Sequence, residues 1–251
     1  MRITYVGHAT VLIDMDGVRL LTDPVLRGRI AHLRRRGAVP ADALRGVDTV
    51  LISHAHMDHL DPPSLARLGS DMPMVVPRGA GPLLRRKKFA RVIEIDEGAD
   101  VLVGGVTVTA THAEHEGDRL PFGTTAPCLG YHVAGSRRVF FAGDTDLFDG
   151  MREIGNGGLD LALLPIWGWG PRLPEGHLSP STAAEAVARL RPRVAIPIHW
   201  GTYLRMGMSR DGDDLREPAE RFERLARELA PEVSVRILEP GETLVPTGAA
   251  A

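Results

Sequence analysis

A short apolar run leads directly into a dense group of histidines and an aspartate, and this feature constrains the fold more than any other. Residues 50–52 read Val-Leu-Ile, and residues 53–61 read SHAHMDHLD. A brief apolar run bounded by polar residues is typical of a buried strand, and α/β scaffolds present reactive side chains in the loops that follow strands. The sequence therefore predicts an α/β protein with a site at a strand end. Its candidate residues here are His54, His56, Asp58 and His59.

The same arrangement recurs after three later predicted strands. The segment VTVTATHAEH leads to His112 and His115, RVFFAGDTD leads to Asp144, and VAIPIHWG leads to His199. A single residue of this kind is usually a hydrogen-bonded structural group, but four strand ends with such side chains indicate a metal site. Imidazole and carboxylate ligands suit Zn²⁺, with Mn²⁺ or Fe²⁺ as alternatives.

Turn and capping residues divide the rest of the chain into short elements. Asp16-Gly17 predicts a tight hairpin turn. Ser179 and Pro180 predict the start of a helix that Pro192 ends. Further strands are predicted at 74–76, 92–95, 106–110, 129–133, 139–142, 161–164 and 194–198, and further helices at 63–68 and 218–229.

Composition and charge narrow the class of protein. The 251 residues are 43% hydrophobic and 25% charged, which is typical of a globular protein. We expect a single domain at 1–245 and a frayed tail at 246–251. The formal net charge of -2 gives no reason to expect nucleic acid as a partner. The N-terminus lacks a signal-peptide pattern and Cys128 is the only cysteine, so we expect a cytoplasmic protein.

One arginine-rich segment, residues 26–45, has no clear hydrophobic period. We interpret it as a solvated loop, with recognition of an acidic substrate group as the alternative.

The motifs resemble those of the metallo-β-lactamase-fold hydrolase superfamily. The match consists of the His-x-His-x-Asp-His signature at 54–59, a downstream histidine, Gly-Asp-Thr at 143–145 and His199. GHATVLI at Gly7, LLTDPV at Leu20 and PIHWGT at Pro197 are similar to one branch of that superfamily. This branch contains bacterial ascorbate-phosphate lactonase and the phospholipase D that acts on N-acylphosphatidylethanolamine. The resemblance implies a four-layer αββα sandwich with a dinuclear metal site.

The resemblance also implies which side chains bind each ion. Members of the branch often read Pro-Ala-x-His at the downstream position, which aligns with residues 112–115. This alignment favours His115 as the ligand and leaves His112 as a supporting or substrate-facing group. The ligands implied are His54, His56 and His115 at one ion, Asp58, His59 and His199 at the other, and Asp144 between them.

A metal-bridging hydroxide that cleaves a phosphodiester, lactone or related ester is the implied chemistry. Asp58 is then a proton shuttle as well as a ligand. His177, just before a predicted helix, either donates to a substrate oxyanion or makes only a loop contact. His8 and Asp23 either orient ligands or make ordinary hydrogen bonds.

The sequence leaves alternatives for the substrate and for the function. We expect a soluble small-molecule substrate, with a membrane lipid as the alternative, because no amphipathic anchor helix is evident. Trp167 and Trp169 either form an apolar wall for the substrate or pack over the sheet. The alternative functions are a tRNA-trimming nuclease, a thiolester or β-lactam hydrolase on the same fold, and a non-catalytic metal-binding protein.

Overall fold

The structure is a computed structural model that describes residues 1–117, 125–167, 173–207 and 212–246. Trp169 and all of the predicted tail except Pro246 lie outside the described residues. In chain order the described strands are β1 (Arg2–Gly7), β2 (Thr10–Met15), β3 (Val18–Thr22), β4 (Arg29–Ile30), β5 (Leu33–Arg35), β6 (Thr49–Leu51), β7 (Met74–Pro77), β8 (Val92–Ile95), β9 (Asp100–Val103), β10 (Val106–His112), β11 (Leu129–Ala134), β12 (Arg138–Phe141), β13 (Leu161–Pro165), β14 (Val194–Ile198), β15 (Tyr203–Arg205), β16 (Ser234–Val235) and β17 (Thr243–Leu244).

The described helices flank these strands. They are α1 (Pro62–Ala66), α2 (Gly81–Arg86), α3 (Met151–Gly155), α4 (Pro180–Leu190) and α5 (Gly212–Leu229), with a 3₁₀ helix at Ala41–Leu44. None of the helices in the described part of the chain combines the length and hydropathy needed to cross a bilayer.

Two seven-stranded sheets form the centre of the protein. The first has the order β17-β1-β2-β3-β6-β7-β8, and the second has the order β16-β14-β13-β12-β11-β10-β9. Each sheet is antiparallel in one half and parallel in the other, with β3, β6, β7 and β8 parallel in the first and β12, β13, β14 and β16 parallel in the second. Parallel strands bring their carboxyl ends to one edge, which is where the candidate residues lie.

The buried apolar residues form the layers expected of an αββα sandwich. The larger cluster joins the inner faces of the two sheets, for example through Tyr5 and Tyr131, and also takes in Val187 of α4 and Phe222 of α5. A second cluster packs α1 and α2 against the outer face of the first sheet. The predicted fold class is therefore confirmed.

Local sequence signals explain the elements that were predicted accurately. Asp16 and Gly17 both have positive φ, at 55° and 79°, as a tight hairpin turn requires. Ser179 and Thr182 form a reciprocal capping box at the start of α4. The predicted start of α5 at 218 is wrong, because the helix begins at Gly212 and contains Pro218 within its early turns. Pro218 is the seventh residue of this helix, beyond its first turn, and there it removes one backbone hydrogen bond of the helix.

The interpretation of residues 26–45 as a solvated loop is wrong in part. The segment contributes β4 and β5 to a small sheet of order β15-β5-β4. Arg35 is 8% exposed, and its guanidinium donates to the carbonyls of Val6 at 2.6 Å and Val25 at 3.0 Å. Backbone acceptors therefore allow this arginine to occupy an inward position in the strand.

Candidate metal centre

The candidate residues meet at one edge of the two sheets because their strands all end there. Asp23 follows β3 and residues 53–59 follow β6 in the first sheet. His115, Asp144 and His199 follow β10, β12 and β14 in the second sheet. His8, Asp23 and His199 have positive φ values of 60°, 34° and 65°. Such backbone conformations are uncommon for residues other than glycine and cluster at functional sites.

A buried carboxylate orients two of the histidines. Asp23 accepts hydrogen bonds from the backbone N–H of Ser53 at 2.7 Å, from Ser53 Oγ at 2.5 Å and from Nδ1 of His59 at 2.7 Å. Because the hydroxyl of Ser53 donates its hydrogen bond to Asp23, Oγ of Ser53 accepts a hydrogen bond from Nδ1 of His54 at 2.9 Å. Both imidazoles therefore carry hydrogen on Nδ1 and direct the Nε2 atom into the cluster.

Two further histidines are oriented by backbone carbonyls. Nδ1 of His115 donates to the carbonyl of Gly176 at 2.8 Å, and Nδ1 of His199 donates to the carbonyl of Trp167 at 2.5 Å. Nε2 of His115 lies 3.3 Å from Nδ1 of His56. Sequence analysis singled out neither Ser53 nor Gly176. Only the position of Ser53 directly before His54 signals its role, and a carbonyl acceptor leaves no side-chain signal.

Asp144 lies at the centre of the cluster. Its Oδ2 atom is 3.1 Å from Nε2 of His59 and 3.4 Å from Nε2 of His199. Nε2 of His59 is also 3.2 Å from Oδ2 of Asp58. Nε2 of His54 and Oδ1 of Asp144 are buried and have no hydrogen-bond partner among the residues that the structure describes. Such atoms cost stability unless a ligand satisfies them, so the residues fit a bound cation.

The nitrogen and oxygen donors fall into two main groups. In one, His54, His56 and His115 present atoms within 4.8 Å of one another. In the other, the same holds for Asp58, His59 and His199 together with His8. The clusters are thus compatible with metal binding.

Burial and neighbouring charges shift the pKa values of the donor side chains in opposite directions. Burial lowers the pKa of His115 to about 4 and holds the pKa of His54 well below its usual value. Burial also disfavours the charged form of His199, but the neighbouring Asp144 carboxylate raises its pKa to about 9. Despite burial, His199 and His59 hold the pKa of Asp144 well below its usual value. The donors are therefore strongly coupled.

The structure separates the two downstream histidines. His112 is exposed, with Nδ1 3.1 Å from Glu97 and Nε2 3.2 Å from Glu114. Both of its ring nitrogens therefore face acidic side chains and not the cluster. His115 is the one that the fold brings to His54 and His56.

His177 reaches the cluster from the loop before α4. Its Nε2 atom lies 3.6 Å from Oδ2 of Asp144, and its ring centroid lies 4.5 Å from that of His115. Nδ1 lies 3.0 Å from the carbonyl of Glu175, which accepts its hydrogen and leaves Nε2 directed at Asp144.

His8 contacts the donor group that contains Asp58 and His199. Its Nε2 atom lies 3.0 Å from Oδ2 of Asp58, and its ring centroid lies 3.9 Å from that of His199. Its backbone carbonyl accepts from the backbone N–H of His199 at 2.9 Å. His8 and Asp23 thus both contact candidate ligands directly.

Comparisons with known proteins agree with this architecture. The family model described as a beta-lactamase superfamily domain matches residues 18–200. A UPF0173 metal-dependent hydrolase of Methanopyrus kandleri is 33% identical, over 97% of this chain and 99% of that protein. An N-acyl-phosphatidylethanolamine-hydrolyzing phospholipase D of Caenorhabditis elegans is 32% identical, over 95% of this chain and 74% of that protein.

A solved structure supports the same assignment. The metallo hydrolase Igni18 of Ignicoccus hospitalis is 25% identical and superposes with a TM-score of 0.71 over 97% of each chain. The superfamily predicted from the motifs is confirmed, and the chain belongs to the metallo-β-lactamase-fold superfamily as a metal-dependent hydrolase.

Proposed function

We propose that the cluster binds two divalent cations and that the protein hydrolyses a phosphodiester, lactone or related ester of a small molecule. The single observation that carries this proposal is the convergence of seven donor side chains from separate strand ends. In the proposed assignment one ion is held by His54, His56 and His115, the other by Asp58, His59 and His199, and both by Asp144.

The donor set supports Zn²⁺ as the preferred ion, with Mn²⁺ or Fe²⁺ as alternatives. Five imidazoles and two carboxylates are softer than the all-oxygen sites of Mg²⁺ or Ca²⁺. The hydrogen bonds on Nδ1 of His54, His59, His115 and His199 resemble the outer contacts that fix metal-binding histidines.

Two bound cations would supply Lewis acidity and a hydroxide nucleophile near neutral pH. Around them the side chains have distinct roles. Asp58 binds one ion and accepts a proton from the attacking water. His177 presents Nε2 beside Asp144, where its protonated form donates to a negatively charged oxygen of the substrate.

The relatives and the charge of the chain bear on the choice of substrate. The phospholipase D among the relatives makes the phosphodiester of a phospholipid headgroup the second candidate. A nuclease is not favoured, because the chain carries a formal net charge of -2. A reducing cytoplasm suits the single buried thiol of Cys128.

The test combines metal analysis with a substrate panel. Protein purified without chelator should carry two equivalents of metal and hydrolyse a chromogenic phosphodiester or lactone. Asp144→Asn should retain the fold by circular dichroism and lower turnover by more than the roughly 10–100-fold that outer residues cost. The matched control Asp71→Asn changes an exposed residue and should retain full activity.

Two outcomes would contradict the proposal. Fully metallated Asp144→Asn with wild-type turnover would remove the role assigned to this residue. Two bound ions without hydrolysis across esters, phosphodiesters, thiolesters and β-lactams would favour a non-catalytic metal-binding protein.

A further inference from the structure

The small sheet of β4, β5 and β15 has two faces of different character. Along the chain from residue 32 to residue 36, exposed and buried residues alternate. Leu33 and Arg35 are buried, and they lie on the inner face with Ile30 and Tyr203. The residues between them point outward, because successive side chains of a strand lie on opposite faces.

The outer face is basic and carries two apolar groups. Its members, set by the alternation and by the pairing of Arg29 with Arg34 and of Arg34 with Leu204, are Arg29, His32, Arg34, Arg36, Leu204 and Met206. Met206 is 49% exposed, and its backbone N–H donates to the carbonyl of His32. We call this set the arginine face.

Charge on the arginine face is not balanced within its own segment. Residues 25–40 contain no aspartate or glutamate, and three of their five arginines, Arg29, Arg34 and Arg36, lie on the arginine face. Of the other two, Arg27 is paired with Asp61 at 2.6 Å, and Arg35 is buried on the inner face. Arg29 and Arg34 are direct cross-strand partners. Like charges in that position destabilise a strand pair, so an anionic ligand would relieve a repulsion already present in the sheet.

We propose that the arginine face docks the protein on a membrane surface that contains anionic phospholipids. Guanidinium groups bind phosphate oxygens in bidentate fashion, and clustered basic residues are attracted to anionic bilayers. Leu204 and Met206 place apolar groups among the arginines, as interfacial membrane contacts do. The proposal concerns binding alone and does not depend on metal or catalysis.

The composition of the arginine face favours lipid over single-stranded RNA. Surfaces that bind single-stranded RNA place exposed aromatic rings among the basic residues so that bases can stack on them. Among the described residues, the arginine face carries the imidazole of His32 but no phenyl, phenol or indole ring, because Tyr203 is 3% exposed and packs on the inner face. Its ring lies edge-on to His8, with centroids 5.5 Å apart. Docking would thus bring the lipid surface to the layer next to the metal centre.

Vesicle co-sedimentation of the full chain in the presence of a chelator tests the proposal. Wild-type protein should bind vesicles of phosphatidylcholine with added phosphatidylglycerol, should not bind pure phosphatidylcholine, and should be released by salt. The double variant R29S/R34S should lose roughly 30-fold in affinity for the anionic vesicles. The control R221S/R224S removes two exposed arginines from α5 and should bind like the wild type.

Thermal denaturation separates docking from a structural role. R29S/R34S should melt at or above the wild-type temperature, because it removes a like-charge pair. Absence of binding to anionic vesicles would overturn the proposal, as would wild-type binding by R29S/R34S or equal loss in the control. Tight binding of an oligoribonucleotide that outcompetes the vesicles would also overturn it in favour of RNA.

Discussion

Nδ1 of His59 lies 2.7 Å from Oδ2 of Asp23, and both side chains are completely buried. The same carboxylate also holds Ser53, which in turn holds His54. One aspartate thus sets the orientation of a donor histidine in each of the two groups. Asp23 therefore couples the two donor groups through its hydrogen bonds, although it is not a ligand in the proposed assignment.

Replacing Asp23 with asparagine should weaken the binding of both metal ions. The amide NH₂ would face two groups that now donate to the carboxylate, so the hydrogen-bonded network must rearrange. We expect a loss of about 10–100-fold in metal affinity, measured by competition with a chromophoric chelator. Asp71→Asn, an exposed change of the same type, should bind metal like the wild type. Unchanged affinity in folded Asp23→Asn would contradict the assigned role.

The two downstream histidines form a matched pair for a second prediction. His115→Ala should reduce the metal content from two ions to one, because it removes a donor that faces His56. His112→Ala should retain both ions, since its ring contacts Glu97 and Glu114 outside the cluster. Elemental analysis after dialysis measures the metal content of both variants. Equal metal loss in the two, or loss only in His112→Ala, would mean that the wrong histidine has been assigned.

The coupled pKa values predict how the metal-free protein responds to alkali. His199 has a pKa of about 9 in the folded protein and 6.5 as its ordinary value, so its protonated form contributes stability that is complete below pH 6.5. That contribution is lost as the pH rises through about 9. His8 has a pKa lowered by burial to about 3, so its contribution is present above pH 6.5 and lost toward pH 3.

Between pH 6.5 and about 9, therefore, the protein with chelator should lose stability while the metal-loaded protein does not. Metal binding requires neutral imidazole, so zinc affinity should also rise over this range with release of protons. Thermal melts with and without chelator measure the first effect, and calorimetry in buffers of different ionisation enthalpy measures the second. Proton release of zero in all buffers would contradict the raised pKa of His199.

The residues that sequence alone could place are those attached to regular elements. His54 to His59, Asp144 and His199 follow short apolar runs, and parallel pairing then brings the ends of those runs together. The contacts that orient them were beyond prediction, because Asp23 reaches Ser53 across 30 positions of the chain and the acceptors of His115 and His199 are backbone carbonyls. These depend on tertiary geometry, which no local pattern encodes.

The small sheet was missed for a related reason. Burial alternates along residues 32–36, but an arginine occupies a buried position there, so hydrophobicity does not alternate with it. Arg35 can occupy that position because the carbonyls of Val6 and Val25 accept its hydrogen bonds. The helix α5 was predicted with the correct type but with a start at 218 and not at Gly212. Sequence holds less information about where an element ends than about its type.

His8 offers the last prediction, because its Nε2 atom contacts Oδ2 of Asp58 while its ring packs on His199. If the hydrogen bond holds Asp58 in place, His8→Phe should lose about 10–100-fold in affinity for one of the two ions, and His8→Gln, which keeps a donor, should recover part of that loss. If packing of the ring alone matters, His8→Phe should retain more metal affinity than His8→Gln, because phenylalanine keeps an aromatic ring. Zinc titrations of the three proteins distinguish these outcomes, and the visible spectrum of the cobalt form reports the geometry at Asp58 without reference to turnover. A phenylalanine variant with wild-type affinity would contradict the positioning role.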